Sequence, residues 1–72
     1  QNRNVDLSGR IILNDKDEPT INFGKYKGWD VAEILTKDPG YFTWVLGSDF
    51  TNNTKQVLTR IRLREFNKRM GK

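Results

Sequence analysis

The residues most suggestive of chemistry lie in one short stretch, 24-GKYKG-28, which Trp29 and Asp30 follow. Two glycines bracket two lysines and a tyrosine, a combination that could bind phosphate through amides and ammonium groups while an aromatic ring stacks on a base. The spacing fits neither a P-loop nor a dinucleotide-binding loop, because each needs a different arrangement of glycines. The stretch is therefore either a loop that contacts a nucleic-acid backbone or a plain connector. Its candidate contacts are Lys25, Tyr26, Lys27 and Trp29. In either case Gly24 and Gly28 are expected to adopt backbone conformations with positive φ that other residues disfavour.

A second candidate is the basic C-terminal segment. Residues 51–72 hold seven Lys and Arg and one acid, whereas residues 1–50 hold six basic and eight acidic residues, so a net charge of −2 is followed by one of +6. On a helix, Arg60, Arg64 and Lys68 fall at i, i+4 and i+8 and form a single stripe. This stripe could follow a phosphate backbone, remain a solvated face, or dock an acidic protein.

Residue types that several other functions require are missing from the chain. It contains neither Cys nor His, so a structural zinc site, disulfides, and imidazole or thiol catalysis are excluded. The carboxylates of 15-DKDE-18 precede Pro19, where acidic residues are typical of a turn. The longest apolar runs are only a few residues, too short for a membrane span. We expect a monomeric piece of a longer cytoplasmic protein with no membrane partner.

Two short strands should come first. The β-prone runs 10-RIILN-14 and 20-TINFG-24 flank turn-forming residues and predict a hairpin with a loop longer than two residues. Residues 1–9 are polar and are expected to be a linker or a loosely docked arm. Alternation gives each strand one apolar pair, Ile11 with Leu13 and Ile21 with Phe23.

A first helix should begin after Asp30. Asp30 at the N-cap and Glu33 three residues later predict a capping box. Trp29 and Ile34 then occupy the positions of a hydrophobic staple, although Trp29 could instead be an exposed stacking surface. The helix should end near Thr36 or Lys37, because a proline follows Asp38.

Two further helices are expected. The segment 39-PGYFTWVL-46 has proline at N1 and is apolar nearly all round, which predicts a buried central helix that ends at Gly47. The last helix should follow Thr51 or Asn52 and run to about Lys68, with a second apolar face, formed by Leu63, Phe66 and Met70, turned away from its core face. The expected core is Ile21, Phe23, Val31, Leu35, Tyr41, Phe42, Trp44, Val45, Leu46, Val57, Leu58 and Ile61. The alternative for Tyr41, Phe42 and Trp44 is a platform on which bases stack.

These elements predict a small single domain of the α+β class, with an N-terminal β-hairpin followed by two short helices and one longer C-terminal helix. The expected division is a linker or flexible arm over residues 1–9, the module itself over residues 10–68, and a tail over residues 69–72.

Two stretches carry a resemblance to a known family. The run 21-INFGKYKGWDVAEIL-35, followed by 38-DPGYFTWVLGSDF-50, resembles the small C-terminal module of exodeoxyribonuclease X-like proteins. The runs 9-GRIILND-15 and 54-TKQVLTRIRLREFN-67 are similar to the tail of DNA polymerase III epsilon-subunit-like 3′–5′ exonucleases.

The resemblance implies a role beside a DEDD-type exonuclease, whose carboxylates bind two divalent metal ions and whose base is a histidine. This chain lacks histidine and the Asp-x-Glu motif, so the resemblance implies a non-catalytic accessory domain without a cofactor, with the catalytic domain upstream of Gln1. We expect it to contact the phosphate backbone of nucleic acid, DNA in the first place. The alternative is a protein-docking module that binds the exonuclease domain or another replication or repair factor through Leu63, Phe66 and Met70.

Overall fold

The computed structural model describes residues 3–71, which begin with a β-hairpin. Strand β1 (Ile11–Leu13) pairs with strand β2 (Pro19–Ile21) in antiparallel register. Asn14 closes the turn between them, because its side-chain oxygen accepts hydrogen bonds from the amides of Lys16 (2.8 Å) and Glu18 (3.0 Å). An asparagine that binds amides a few residues further on is a common way to stabilise a turn.

Backbone pairing continues on both outer edges of the hairpin. On the β1 side, the amide of Val5 donates to the carbonyl of Ile11 at 2.7 Å. On the β2 side, the amide of Ile21 donates to the carbonyl of Trp29 at 3.0 Å. Residues 3–9 therefore differ from the expected linker or loosely docked arm, because part of this segment satisfies the otherwise unpaired edge of β1.

Three helices follow the hairpin, α1 (Val31–Lys37), α2 (Pro39–Leu46) and α3 (Asn52–Arg69). A single 3-10 turn at Gly24–Tyr26, which the sequence did not predict, precedes them. The hydroxyl of Thr51 caps α3 by accepting a hydrogen bond from the amide of Thr54 at 3.3 Å. The hairpin followed by three helices confirms the predicted α+β domain. No helix within residues 3–71 is both long enough and apolar enough to cross a membrane.

Asp30 occupies its predicted N-cap position, but the predicted capping box does not form. Asp30 and Asp38 occupy the N-cap positions of α1 and α2, but neither side chain accepts a hydrogen bond from its own helix. Asp30 Oδ1 accepts instead from Asn14 Nδ2 at 3.1 Å, and Asp38 Oδ2 accepts from the hydroxyl of Tyr26 at 2.6 Å. Asp30 therefore links the start of α1 to the hairpin turn. Asp38 links the start of α2 to residues 24–28, here called the glycine–lysine loop.

The core lies between the hairpin and the three helices, and Trp44 is not part of it. Its side chain is 60% exposed, so the prediction that Trp44 is a core residue is wrong. Helix α2 turns Tyr41, Phe42 and Val45 inward, at i, i+1 and i+4, and the helical turn of about 100° per residue places Trp44 at the edge of this face, next to Tyr41. The buried apolar residues are Ile11, Ile21, Val31, Ile34, Tyr41, Phe42, Val45, Val57, Leu58 and Ile61. The predicted core residues Phe23, Leu35 and Leu46 are only partly buried.

One buried carboxylate joins the N-terminal segment to α3. Asp6 accepts hydrogen bonds from the amide of Ile11 (3.0 Å), the hydroxyl of Ser8 (3.0 Å) and the hydroxyl of the buried Thr54. Burial acts to raise the pKa of Asp6, but these hydrogen bonds outweigh it, so the pKa lies below its ordinary value. At neutral pH the carboxylate is therefore charged, and these hydrogen bonds stabilise the charge.

Candidate nucleic-acid interface

The glycine–lysine loop is a compact turn whose backbone amides are used internally. Gly24 and Gly28 have φ of +64° and +92°, as the sequence predicted, and residues with a side chain rarely adopt these conformations. The amide of Lys27 donates to the Gly24 carbonyl (3.2 Å), that of Gly28 to Ile21 (2.8 Å), and that of Trp29 to Tyr26 (2.9 Å). These three amides are not free to cradle a phosphate, whereas the side chains of Lys25 and Lys27 are exposed.

Six rings from the loop, from α2 and from the chain after it form one connected group, which we call the aromatic face: Phe23, Tyr26, Trp29, Tyr41, Trp44 and Phe50. The ring of Tyr26 lies edge-on to Trp29 at 5.1 Å and to Tyr41 at 4.8 Å between centroids. The group continues from Tyr41 to Trp44 (5.7 Å) and from Trp44 to Phe50 (6.3 Å). Such edge-on and tilted pairs are favourable for aromatic rings and hold them in fixed orientations.

Cations lie against the rings of the aromatic face. Arg10 Cζ is 4.9 Å from the ring centre of Phe50, and Lys25 Nζ is 5.1 Å from that of Tyr26. Lys37 Nζ lies 5.5 Å from the ring centre of Trp29. These distances are in the range of cation–π attraction. Because all three cations are exposed, they remain accessible to an anionic ligand.

An open groove of about 520 Å³ runs across the aromatic face, lined by Phe23, Gly24, Lys25, Asp38, Tyr41 and Trp44. The hydrogen bond to Asp38 raises the pKa of Tyr26, with a smaller contribution from burial. Burial, and then the charge of Asp38, raises the pKa of Tyr41. Both phenols are therefore protonated at neutral pH, and they add no negative charge to the groove.

The predicted stripe of Arg60, Arg64 and Lys68, here called the α3 stripe, has different surroundings. Lys68 Nζ donates to Glu65 Oε2 at 3.2 Å. Arg64 and Lys68 line a groove of about 370 Å³ together with Asp17, Glu18, Asp30 and Glu65. Burial, and then the charges of Glu18 and Glu33, raises the pKa of Asp30, as expected where carboxylates crowd together.

The structure thus brings together only some of the predicted site residues. Lys25, Tyr26 and Trp29 contact the aromatic face or belong to it, and Lys27 is exposed in the same loop. The α3 stripe lines grooves with residues of the hairpin turn instead. Sequence reasoning missed six residues as parts of the site: Arg10, Phe23, Lys37, Tyr41, Trp44 and Phe50. Of these, Tyr41 and Trp44 carried a signal, because as aromatic residues of α2 they were candidates for stacking as an alternative to the core.

A separate apolar surface lies on α3. Leu63, Phe66 and Met70 are each more than half exposed, which confirms that this helix turns a second apolar face outward. Leu63 and Phe66 line a groove of about 440 Å³ with Leu35, Pro39 and Leu46, among other residues. Within residues 3–71, no group of three or more carboxylates is arranged to hold a metal ion.

Comparisons with known proteins agree with the resemblance read from the sequence. The family model described as exodeoxyribonuclease X-like C-terminal matches residues 21–48. Two curated relatives, each named exodeoxyribonuclease 10, come from Escherichia coli strain K12 and from Escherichia coli O6:H1 strain CFT073. Both are 34% identical over 59 residues, which is 82% of this chain and 23% of the relative. No solved structure matches the chain significantly.

The matched part therefore spans less than a quarter of the length of these relatives. The stretch that matches the family model, residues 21–48, contains the glycine–lysine loop, α1 and α2, and with them most of the aromatic face. The similarity to polymerase III epsilon-like exonucleases stays a prediction. The family match and the identity to these relatives together support an exodeoxyribonuclease X-like C-terminal module in this chain.

Proposed function

We propose that this chain is the non-catalytic C-terminal accessory domain of a DEDD-type 3′–5′ exonuclease, and that it contacts the phosphate backbone of nucleic acid near the exonuclease domain. The similarity to proteins named exodeoxyribonuclease supports the parent activity. In this proposal the two divalent metal ions of catalysis belong to the exonuclease domain, and the parent protein is cytoplasmic.

One observation carries the nucleic-acid contact. Arg10, Lys25 and Lys37 lie against aromatic rings of a single face and are exposed there. Positive charge beside accessible rings is the combination that proteins use to bind nucleic-acid strands without reading their sequence. Lys27, in the same loop, adds a fourth cation. DNA is the expected ligand because the relatives are named exodeoxyribonucleases.

The two cationic surfaces can be compared by oligonucleotide binding at several salt concentrations, followed by NMR chemical shifts or fluorescence anisotropy. We expect Lys25→Ala with Lys27→Ala to weaken binding and to flatten the salt dependence by up to about two phosphate contacts. Arg60→Ala with Arg64→Ala is the matched control, since it also removes two cations but leaves the aromatic face intact. An unchanged salt slope in the lysine variant would show that the glycine–lysine loop is only a connector. No binding by the parent chain at low salt would refute the proposal.

A second candidate function is protein docking, and the exposed apolar surface of Leu63, Phe66 and Met70 favours it. In that case the chain would bind the exonuclease domain or another replication or repair factor. An apolar contact should persist as salt rises, whereas phosphate binding should collapse. Leu63→Ala with Phe66→Ala should then weaken association with the isolated exonuclease domain and leave oligonucleotide binding unchanged.

A further inference from the structure

We propose that the groove between Lys25 and Trp44 binds an unpaired nucleobase, so that this domain takes single-stranded rather than duplex nucleic acid. The inference rests on the proposed function, and it adds a defined base-binding site to a contact otherwise made with phosphates.

Trp44 is the first observation. It lies on the same helix as the buried Tyr41, Phe42 and Val45, yet it is 60% exposed. Its ring is tilted by only 31° from that of Tyr41, and Phe50 meets it edge-on. The neighbouring rings therefore hold the indole in place while leaving much of it uncovered. An exposed, immobilised indole is a suitable platform for stacking, because every base has an apolar face.

The shape of the groove is the second observation. Its volume of about 520 Å³ falls within the roughly 300–1,000 Å³ typical of sites for small ligands. Phe23, Tyr41 and Trp44 supply apolar walls, and Gly24 leaves the space near Tyr41 free of a side chain. A Cβ at Gly24 would lie 3.5 Å from the hydroxyl oxygen of Tyr41 and would occupy part of this space.

The distribution of charge is the third observation, and it assigns different parts of a nucleotide to different parts of the face. Asp38 lies in the groove, so a phosphate is disfavoured there, whereas a neutral base is accepted. A carboxylate oxygen can also accept a hydrogen bond from a base amino group. Lys25 at the groove and Arg10 beside Phe50 provide the positive charge that phosphates of the same strand need.

These observations together favour a single strand. In a duplex, the faces of the bases are covered by their neighbours, and only base edges and phosphates are accessible. A site built from ring faces can be filled only by a base that has left the stack. A duplex would contact the cations and leave Trp44 unused.

The test uses three probes of equal length, about 12 nucleotides, within the roughly 4–16 nucleotides that comparable domains cover. They are single-stranded oligothymidylate, a DNA duplex, and an abasic strand that keeps the phosphates but lacks the bases. We expect the single strand to bind more tightly than the other two. Trp44→Ala should weaken binding of the single strand by about 5- to 150-fold, leave its salt slope unchanged, and leave binding of the abasic strand unchanged.

Phe66→Ala provides the matched control, because Phe66 is an equally exposed aromatic residue on the other surface of the domain. Its binding should equal that of the parent chain. The inference is overturned if Trp44→Ala binds the single strand as well as the parent does, or if the duplex or the abasic strand binds as tightly as the single strand. Salt-dependent binding that Trp44→Ala does not weaken would overturn this inference but remain consistent with the proposed function. No binding by any probe at low salt would refute both.

Discussion

The cations of the aromatic face and those of the α3 stripe have different neighbours. On the aromatic face, Lys25 and Arg10 lie about 5 Å from the ring centres of Tyr26 and Phe50. On the α3 stripe, Lys68 donates to Glu65, and Arg64 shares a groove with four carboxylates. Rings leave the charge of a cation available to a ligand, whereas a nearby carboxylate offsets it.

The difference shows that the net charge of a segment is not the charge of the surface it forms. Residues 51–72 have a net charge of +6, and on this basis they are the obvious place to seek an anionic partner. Folding brings the acidic turn of residues 15–18 beside α3, however, and Arg3 reaches Asp17 as well. Residues 1–50 have a net charge of −2, yet within residues 3–71 they supply the cations that lie over rings of the aromatic face, Arg10, Lys25 and Lys37.

The largest expected effect is a loss of stability in one of two alanine variants of α2, and the second variant is its control. Phe42 is 1% exposed, so Phe42→Ala should cost about 3–5 kcal/mol, comparable with the whole stability of a domain this small. Trp44→Ala should change the free energy of unfolding by less than about 1 kcal/mol, since the indole is mostly in solvent. Urea denaturation followed by circular dichroism measures both. Unfolding of Trp44→Ala would show that the aromatic face cannot be separated from the core.

Asp6→Asn should cause the next largest loss of stability, because Asp6 joins the edge of the hairpin to α3. The aromatic face and the α3 stripe are both built on these elements. Replacing the carboxylate weakens its buried hydrogen bonds with Thr54, Ile11 and Ser8, a loss of about 1–3 kcal/mol. Both cationic surfaces should keep their relative affinities for oligonucleotides wherever the variant is folded. Urea denaturation at neutral pH measures the loss.

The pH dependence of this loss has a definite sign. The pKa of Asp6 is lower in the folded than in the unfolded chain, so its contribution is complete above the unfolded value, about 3.9. The contribution disappears as pH falls through the lower folded pKa. The difference in stability between the parent and Asp6→Asn should therefore be full at pH 7 and smaller at pH 3. An equal difference at both pH values would show that the charge of Asp6 is not what stabilises the fold.

The elements of this domain could be predicted because their signals are local. Pro39, Gly47 and Thr51 mark helix ends through their own backbone and side-chain chemistry, and the helices begin and end within about a residue of the predicted positions. Gly24 and Gly28 likewise have the predicted positive φ. Local chemistry of this kind requires no knowledge of the tertiary structure.

The candidate site could be predicted only in part, because its assembly depends on distant contacts. Helix α2 is apolar nearly all round, so its sequence does not say which side faces the core, and Trp44 was placed there incorrectly. The aspartates at the helix starts found tertiary partners in Asn14 and Tyr26 in preference to their own helix amides. Nothing local indicates that Arg10 should meet Phe50.

The smallest expected effect comes from a variant that tests whether neighbouring carboxylates offset the positive charge of the α3 stripe. Asp17→Asn with Glu18→Gln removes two of the carboxylates in the groove of Arg64 and Lys68. Oligonucleotide binding should strengthen by about two- to fivefold, since exposed charge pairs are worth only up to about 1 kcal/mol each. The salt slope should steepen by up to about one phosphate contact. Asn also tolerates the positive φ of residue 17, so the turn should persist.

A control for overall charge is Glu33→Gln with Asp49→Asn, which also removes two exposed acids but leaves the carboxylates of that groove in place. If the control strengthens binding as much as the turn variant does, long-range attraction accounts for the gain and the offset by neighbouring carboxylates does not. If the turn variant binds no better than the parent, the α3 stripe takes no part in nucleic-acid binding even when its cations are released. A gain confined to the turn variant would make the α3 stripe a second phosphate contact whose charge is partly offset by the acidic turn.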